Sequence, residues 1–346
     1  MSYLDPRAGQ TSGDDTSVPA PYAYDVPGKT AWHAAENAPT SQLPLVQPEE
    51  EAAPPPKRGP GRRRAKGGAP GVPTTSRAGR NLPAAIGVGV GLVLVVLASL
   101  LFWGPAFFGV IVIASGVGVW EMVRALRSSG ANAPAVPLLA GSVLMTGLAW
   151  YGGTDALLLG LLVTVLAAIV WRLADGPAAF RRDLTASVLI AVYVPFLLSF
   201  GILLFLPDHE DGRWRVLCTL LAVVLSDTGG YATGVFFGKH KMAPSISPGK
   251  TWEGFAGSVC ASAIGSALLL YFLLDIQVYW GLLFGALISV VAVVGDLAES
   301  MLKRDLGVKD MSNLLPGHGG LMDRLDSILF AVPTAYLLFA LIAWAQ

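Results

Sequence analysis

Long apolar runs follow one another from about residue 82 to the end of the chain, with short polar stretches between them. An α-helix needs about 20 apolar residues to cross the ~30 Å hydrocarbon layer of a bilayer. Runs of about that length lie at residues 83–103, 105–123, 134–151, 154–172, 184–206, 214–237, 252–274, 278–302 and 326–345. The pattern predicts an all-α fold for residues 81–346, a polytopic membrane bundle of about nine transmembrane helices.

Residues 1–80 have a different composition. They hold 13 of the 24 prolines, together with acidic residues, Ala, Ser and Thr, and no apolar run long enough to build a core. The segment is therefore predicted to be a disordered, Pro-rich tail. Its end, before the first apolar run, is basic, which allows two interpretations: contact with anionic lipid, or a solvated signal for topology.

The overall composition narrows the class of protein. Hydrophobic residues make up 53% of the chain and charged residues only 14%, below the roughly 25% of soluble proteins. Lys+Arg and Asp+Glu each number 24, so the net charge gives no indication of a nucleic-acid partner. Both cysteines lie inside apolar runs, which excludes a disulfide scaffold and a cysteine-based zinc cluster.

The loops that follow the second, fourth, sixth and eighth runs are basic, whereas the opposite loops are poor in Lys and Arg. The basic positions are Arg124, Arg127, Arg172, Arg181, Arg182, Lys239, Lys241, Lys250, Lys303, Arg304 and Lys309. Cytoplasmic loops of membrane proteins carry this excess of positive charge. The tail and the four basic loops are therefore predicted to be cytoplasmic, and nine spans then place the C-terminus outside.

Asp227 lies near the middle of the sixth run and is followed by Thr228, Gly229 and Gly230. A carboxylate at that depth costs about 2.5–3.5 kcal/mol on insertion scales, so it needs a partner or an aqueous cavity. The glycine pair permits a break in the helix, and irregular backbone at membrane depth is tolerated where it lines a cavity. The segment therefore predicts that Asp227 either has a partner or faces an aqueous cavity, beside a glycine pair at which the helix can break.

Four more acids lie in the last two runs. On the eighth run, the spacing i, i+3, i+4, i+7 puts four polar residues on one helix face: Asp296, Glu299, Ser300 and Lys303. Asp323 and Asp326 open the ninth run. One interpretation is a set of internal ion pairs with Lys303, Arg304 or Arg324. The other is a Mg²⁺ site, because Mg²⁺ prefers one or two carboxylates together with substrate phosphates.

The loop at residues 238–254 is cationic and rich in Gly and Pro. Gly249-Lys250-Thr251 is similar to part of a P-loop, but that motif needs a preceding strand and a glycine at position 244, where this chain has Pro. The P-loop interpretation therefore fails. Two others remain open: a loop that contacts phosphates, or ordinary lysines of a cytoplasmic loop.

The last basic loop and the start of the ninth run combine cations, acids and a glycine-rich turn, at Ser300, Lys303, Arg304, Lys309, Asp310, His318, Gly319, Gly320, Asp323, Arg324 and Asp326. This set resembles the signature of the phosphatidate cytidylyltransferase (CDP-diacylglycerol synthase) family. Residues 226–229, Ser-Asp-Thr-Gly, and residues 247–254, Ser-Pro-Gly-Lys-Thr-Trp-Glu-Gly, resemble that family too. The likeness covers about residues 85–346; Gly230, where the family pattern has Ala, is a mild departure.

The resemblance implies Mg²⁺-dependent transfer of the cytidylyl group of CTP to phosphatidate for phospholipid biosynthesis, giving CDP-diacylglycerol and pyrophosphate. It also implies a homodimer in the plasma membrane, and it leaves room for a second, monovalent cation such as K⁺. The acids that match the family's metal centre are Asp296 and Asp323, with Asp227 and Asp326 in or near the same site. The catalytic candidates are Asp227, Asp296, Lys303, Arg304 and Asp323. The substrate-binding candidates are Lys239, Lys241, Ser247, Lys250, Lys309, His318, Gly319, Gly320 and Arg324.

Two alternatives stay open. A cytidylyltransferase or kinase acting on another lipid would share the acids and the basic loops. An ion-coupled transporter also places acids in membrane helices. It would not need cations clustered on one face beside a Gly-His-Gly-Gly turn. Release of pyrophosphate from CTP separates these classes, because transport leaves CTP intact.

Overall fold

The computed structural model describes residues 82–173, 176–206, 211–315 and 319–345. The tail predicted for residues 1–80 lies outside these ranges, and so does His318. The helices are α1 Leu82–Phe102, α2 Gly104–Arg127, α3 Ala135–Arg172, α4 Pro177–Ala191, α5 Leu197–Phe205, α6 Gly212–Phe237, α7 Trp252–Leu274, α8 Val278–Asp305 and α9 Met322–Ala345. The segment Val192–Phe196 is π-helical and continues α4 into α5.

Within the described ranges, seven helices are long and apolar enough to cross a membrane. They are α2, α3, the continuous helix Ala179–Phe205, α6, α7, α8 and α9, so the chain is a multi-pass membrane protein. This number is two below the predicted nine. The described apolar part of α1, Ile86–Phe102, is shorter than a full span, and α3 joins the third and fourth predicted runs.

Helix α3 is a folded hairpin rather than a straight rod. Gly153 has φ 67° and ψ −153°, a left-handed conformation that glycine adopts without a steric penalty. A Cβ on Gly141 would lie 2.3 Å from Thr164 Cγ2, and one on Gly160 would lie 3.1 Å from Met145 Cγ. Residues 23 apart in a straight helix would be about 34 Å apart. The two arms of α3 therefore run antiparallel against each other.

Helices α6 and α7 pack closely through small residues. A Cβ on Gly229 would lie 2.4 Å from Ala261 Cβ, and one on Gly230 would lie 2.1 Å from Ser258 Oγ. Because glycine carries no side chain, the two backbones approach more closely than larger residues would allow. Helix α6 continues unbroken through both positions. The break that the glycine pair permits does not occur, and the glycines serve the contact between helices instead.

The loop between α6 and α7 forms an antiparallel hairpin, β1 Lys241–Ala243 and β2 Ser247–Thr251, an exception to the all-α prediction. The Glu253 carboxylate fixes the base of the hairpin by accepting bonds from the backbone N–H groups of Lys239 (3.1 Å) and His240 (3.2 Å). The Thr251 hydroxyl accepts the N–H of Gly254 (3.1 Å) and caps α7. These bonds hold the chain rigid just where it enters the helix.

The four predicted basic loops lie at one end of the bundle. Beyond α2, the backbone N–H of Asn132 donates to Asp183 at the start of α4 (2.8 Å), and Arg172 at the end of α3 lies 4.0 Å from the same carboxylate. Glu121 near the end of α2 contacts the loop after α8. Lys250 in the hairpin contacts α8. These contacts agree with the shared side expected from the charge pattern.

Candidate active site

A cavity of about 530 Å³ opens between α6, the hairpin, α7 and α8. Helix α6 contributes Asp227 and Tyr231, the hairpin contributes Ser247 and Lys250, and α8 contributes Asp296. The cavity thus lies at the end of the bundle that carries the basic loops. It supplies the polar surroundings that the acid in the sixth apolar run was predicted to need.

An ion pair between Asp296 and Lys250 lies in the wall of the cavity. Lys250 Nζ is 2.7 Å from Asp296 Oδ2 and also donates to the Val293 carbonyl at 3.4 Å. The Ser300 hydroxyl donates to Asp296 Oδ1 at 3.3 Å. About a third of the Asp296 side chain (34%) remains accessible. Because solvent still reaches this carboxylate, exchange of its lysine for another cation costs less than it would at a fully buried carboxylate.

Asp326 lies at the contact between α8 and α9. A Cβ on Gly295 would lie only 2.6 Å from the Asp326 carbonyl oxygen, so the missing side chain lets the two helices touch there. The half-buried Asp326 carboxylate accepts the Ser327 N–H at 2.7 Å. This packing brings Asp326 next to the turn of α8 that carries Asp296.

Lys303 joins two buried carboxylates, Glu299 on α8 and Asp323 on α9. Its Nζ donates to Glu299 Oε2 and to Asp323 Oδ1, both at 2.8 Å. Glu299 is completely buried, and its other oxygen, Oε1, has no hydrogen-bond partner within the described residues. Along α8 the spacing i, i+4 gives two contacting pairs, Asp296 with Ser300 and Glu299 with Lys303. Lys303 therefore forms the internal ion pairs that the first interpretation of these acids predicts.

Asp323 fastens the loop between α8 and α9 to the start of α9. Its Oδ2 accepts the backbone N–H groups of Met311 (3.0 Å) and Gly320 (2.8 Å), while Oδ1 accepts Lys303. Gly319 has φ 78°, which explains why glycine stands there. Both Asp323 oxygens are therefore engaged, and the residue stands outside the wall of the 530 Å³ cavity.

Glu121 in α2 is a further acid next to the loop between α8 and α9, and it lies outside the motifs quoted above. The side chain is completely buried. Its Oε1 accepts the Ser312 hydroxyl (2.5 Å) and the Leu321 N–H (3.0 Å), and its Oε2 accepts the Met322 N–H (2.8 Å). The signal that could have found it is the one that marks Asp227: a carboxylate inside an apolar run.

The remaining predicted residues are placed apart from the cavity. Arg304 Nε donates to the Ile246 carbonyl at 3.3 Å, so this side chain ties the hairpin turn to the end of α8. Four other predicted cations are exposed and do not line the cavity: Lys239, Lys241, Lys309 and Arg324. Gly319 and Gly320 lie against Asp323 in the loop.

The carboxylates at the cavity match the chemistry of a Mg²⁺ site in part. In the described ranges, no three His, Cys, Asp or Glu side chains lie close enough together to hold a metal ion by themselves. The cavity does present two carboxylates, Asp227 and Asp296. Because Mg²⁺ is usually bound through one or two carboxylates plus substrate phosphates and water, this donor set fits a metal that arrives with a nucleotide.

Comparison with known proteins places this geometry in a family. The model of the Cytidylyltransferase family matches residues 83–342, a range that contains the hairpin, the cavity and the loop between α8 and α9. The phosphatidate cytidylyltransferase of Mycobacterium bovis is 43% identical over 281 residues, which cover 78% of this chain and 91% of the relative. That of Mycobacterium leprae is 43% identical over 288 residues, or 78% and 90%. That of Staphylococcus haemolyticus is 42% identical over 139 residues, or 40% and 54%. The chain therefore belongs to the cytidylyltransferase family.

Proposed function

We propose that this protein transfers the cytidylyl group of CTP to phosphatidate and releases pyrophosphate. The observation that carries the proposal is the 43% identity to phosphatidate cytidylyltransferases over 78% of the chain. The cavity supports it independently, because its paired acid and lysine lie at the end of a membrane bundle, where a lipid head group and a soluble nucleotide can meet.

The reaction needs little covalent chemistry from the protein. A phosphate oxygen of phosphatidate attacks the α-phosphorus of CTP, a new P–O–P bond forms, and the bond to the β-phosphate breaks with its electrons leaving on pyrophosphate. Such transfers depend mainly on positioning and charge stabilisation. Lys250 at the cavity wall would neutralise nucleotide phosphates once it leaves Asp296, and the acyl chains would stay in the bilayer.

The metal is part of the same proposal. Asp296 and Asp227 would hold Mg²⁺, with Asp326 beside them, and a bound Mg²⁺ would neutralise phosphate charge at the reacting centre. Asp323 could join them only by giving up its bond to Lys303. The proposal also includes a second, monovalent cation such as K⁺. Glu299 Oε1 supports it, because this buried oxygen has no hydrogen-bond partner within the described residues.

We extend the proposal to the membrane arrangement. The antiparallel arms of α3 would each cross the bilayer, and with α1 they bring the number of crossings to nine. The basic loops and the tail would face the cytoplasm of the plasma membrane, and the C-terminus would face outside. The protein would act as a homodimer, as the resemblance implies.

The proposed reaction can be tested with purified protein in mixed micelles. CTP and Mg²⁺ are supplied with phosphatidate, with another lipid phosphate, or with diacylglycerol, and pyrophosphate and the lipid product are measured. We expect pyrophosphate and CDP-diacylglycerol with phosphatidate. A nucleoside diphosphate formed with diacylglycerol would indicate a lipid kinase. If CTP stays intact in every arm, the proposed function is wrong.

Lys250→Ala should raise the KM for CTP by about tenfold and the KM for phosphatidate by much less, because the ammonium faces the cavity and a lost charge-assisted bond costs about 1.5 kcal/mol. Both constants are measured in mixed micelles at fixed Mg²⁺. Lys241→Ala is the comparison on the same hairpin, and its effect should be smaller because that side chain is exposed and outside the cavity wall. An unchanged KM for CTP in Lys250→Ala would make the hairpin lysines a topology signal only.

Arg304→Lys should lower kcat/KM about fivefold although the charge is kept, the size expected for one hydrogen bond of about 1 kcal/mol. The lost bond is the one from Nε to the Ile246 carbonyl, which holds the hairpin turn. Limited trypsin digestion provides the second measurement, since a loosened hairpin should be cut faster at Lys241 and Lys250. Loss of activity with unchanged digestion would instead indicate that the guanidinium grips a phosphate.

A further inference from the structure

Two carboxylates from distant parts of the chain hold the loop between α8 and α9. Asp323 comes from α9 itself, whereas Glu121 comes from α2, about 200 residues earlier. Together they accept four backbone N–H groups of the loop and helix start, from Met311, Gly320, Leu321 and Met322, together with the hydroxyl of Ser312. We call Glu121 and Asp323 the carboxylate clasp.

The glycine at position 320 is explained by the clasp. A Cβ there would lie 2.9 Å from Glu121 Oε1, closer than real Cβ atoms approach, and 3.1 Å from Asp323 Oδ2, which is tight. A side chain at position 320 would stand between the two carboxylates that accept the N–H groups of this turn. Glycine is therefore favoured at position 320 because Glu121 and Asp323 together leave little space for a side chain.

The N–H groups at the start of α9 explain why an acidic residue is stabilised at position 121 in α2. The first N–H groups of a helix have no partner inside the helix and carry a partial positive charge, so a carboxylate is stabilised there. Glu121 receives the N–H groups of Leu321 and Met322 at that point, and all three of its donors are neutral. The buried charge is thus balanced by the helix end and not by a lysine.

The clasp connects α2 to the acids and lysine of α8. Glu121 fixes the first turn of α9, that turn carries Asp323, and Asp323 orients the Lys303 ammonium together with Glu299. We propose that Glu121 is a positioning residue that sets the place of Asp323 and Lys303. The effect of Glu121 on catalysis rests on the proposed function, whereas its hydrogen bonds to the loop do not depend on that function.

Glu121→Gln is the sharpest variant because it keeps the size of the side chain. An amide has one acceptor oxygen and one donor group, so one of the three present donors would face another donor. We expect amide hydrogen exchange in residues 319–325 to become about tenfold faster. We also expect kcat to fall about tenfold or more, while the KM for CTP changes by less than about threefold.

Asp183→Asn is the matched control. Asp183 is a buried carboxylate at the same end of the bundle, where it accepts the Asn132 N–H and pairs with Arg182 (3.2 Å). Within the described residues it makes no hydrogen bond or ion pair with the loop between α8 and α9. Its loss should therefore lower thermal stability without faster exchange in residues 319–325. Ser312→Ala removes one donor to Glu121 and is the milder variant if Glu121→Gln does not fold.

Exchange is followed by mass spectrometry on the purified full chain in detergent, and kinetics are measured on the same preparations. Faster exchange in residues 319–325 with a selective loss of kcat in Glu121→Gln, or in the milder variant, supports the proposal. Unchanged exchange there overturns it, and so does an equal loss of kcat in Asp183→Asn. If the wild-type protein does not act on phosphatidate, the proposed function fails, and the exchange difference still decides whether Glu121 holds the loop.

Discussion

Asp296→Asn is expected to reduce cytidylyl transfer to about 1% of the wild-type rate or less, the size of effect seen when one main electrostatic contact to a transition state is removed. The amide keeps the shape of the side chain but removes the negative charge at the wall of the cavity. It removes the proposed ligand for Mg²⁺ and the partner of Lys250 in the same step. The loss would therefore be chemical, and the protein should still insert in the membrane.

The control for this variant is Asp155→Asn, which makes the same chemical change at the other end of the bundle. Asp155 is exposed and lies just after the turn at Gly153, whereas both outer ends of the α3 hairpin lie at the basic end. It should keep near-normal activity. Binding of Mn²⁺ by the purified protein, followed by electron paramagnetic resonance, gives a direct measure of the metal site. Near-normal turnover of Asp296→Asn at saturating Mg²⁺ would show that the metal assignment is wrong.

The helical architecture could be predicted from sequence because the bilayer leaves few alternatives. Backbone groups in the hydrocarbon layer must be satisfied within a helix, so an apolar run of sufficient length specifies the element by itself. Every predicted run falls on a helix. The shared face of Asp296, Glu299 and Lys303 could be predicted for the same reason, since 3.6 residues per turn fix which side chains lie together.

The contacts between distant segments could not be predicted in the same way. Nothing local in α2 indicates that Glu121 reaches Met322, because that contact depends on how α2 and α9 pack. The resemblance makes Arg304 a catalytic candidate, but nothing local indicates that its Nε donates to the Ile246 carbonyl. That contact depends on how the hairpin folds back over α8. The glycine pair at 229 and 230 permits a break or a close helix contact, and only the neighbouring α7 decides between them.

The lysines beside the acids bear on how the site would work. Two lysines balance the negative charge of these acids: Lys250 pairs with Asp296, and Lys303 pairs with Glu299 and Asp323. Without them the carboxylates would repel one another in a poorly solvated region. Lys250 pairs with an acid that is partly accessible, so it can be displaced when a nucleotide arrives. Lys303 pairs with acids that are buried, so it is the more permanent of the two. The two lysines are therefore expected to respond differently to substitution.

Lys303→Met should be among the most damaging single changes in the chain. It leaves Glu299 and Asp323 buried without their shared cation, and removal of one partner from a buried ion pair typically costs about 3–5 kcal/mol of stability. We expect a clear fall in the melting temperature of the detergent-solubilised protein. Cytidylyl transfer should fall below about 1% of the wild-type rate, a loss of at least 2.7 kcal/mol of transition-state stabilisation.

The double variant Lys303→Met/Glu299→Gln separates the role of Lys303 in stability from its role in catalysis. The amide at 299 removes one of the two carboxylates left without a cation, so much of the lost thermal stability should return. Activity should not return, because the ammonium beside Asp323 is still missing. Glu299→Gln alone provides the reference, and thermal unfolding and pyrophosphate release are measured on all three variants. Recovery of turnover together with stability in the double variant would mean that Lys303 only balances buried charge, and the catalytic assignment of Lys303 would have to be abandoned.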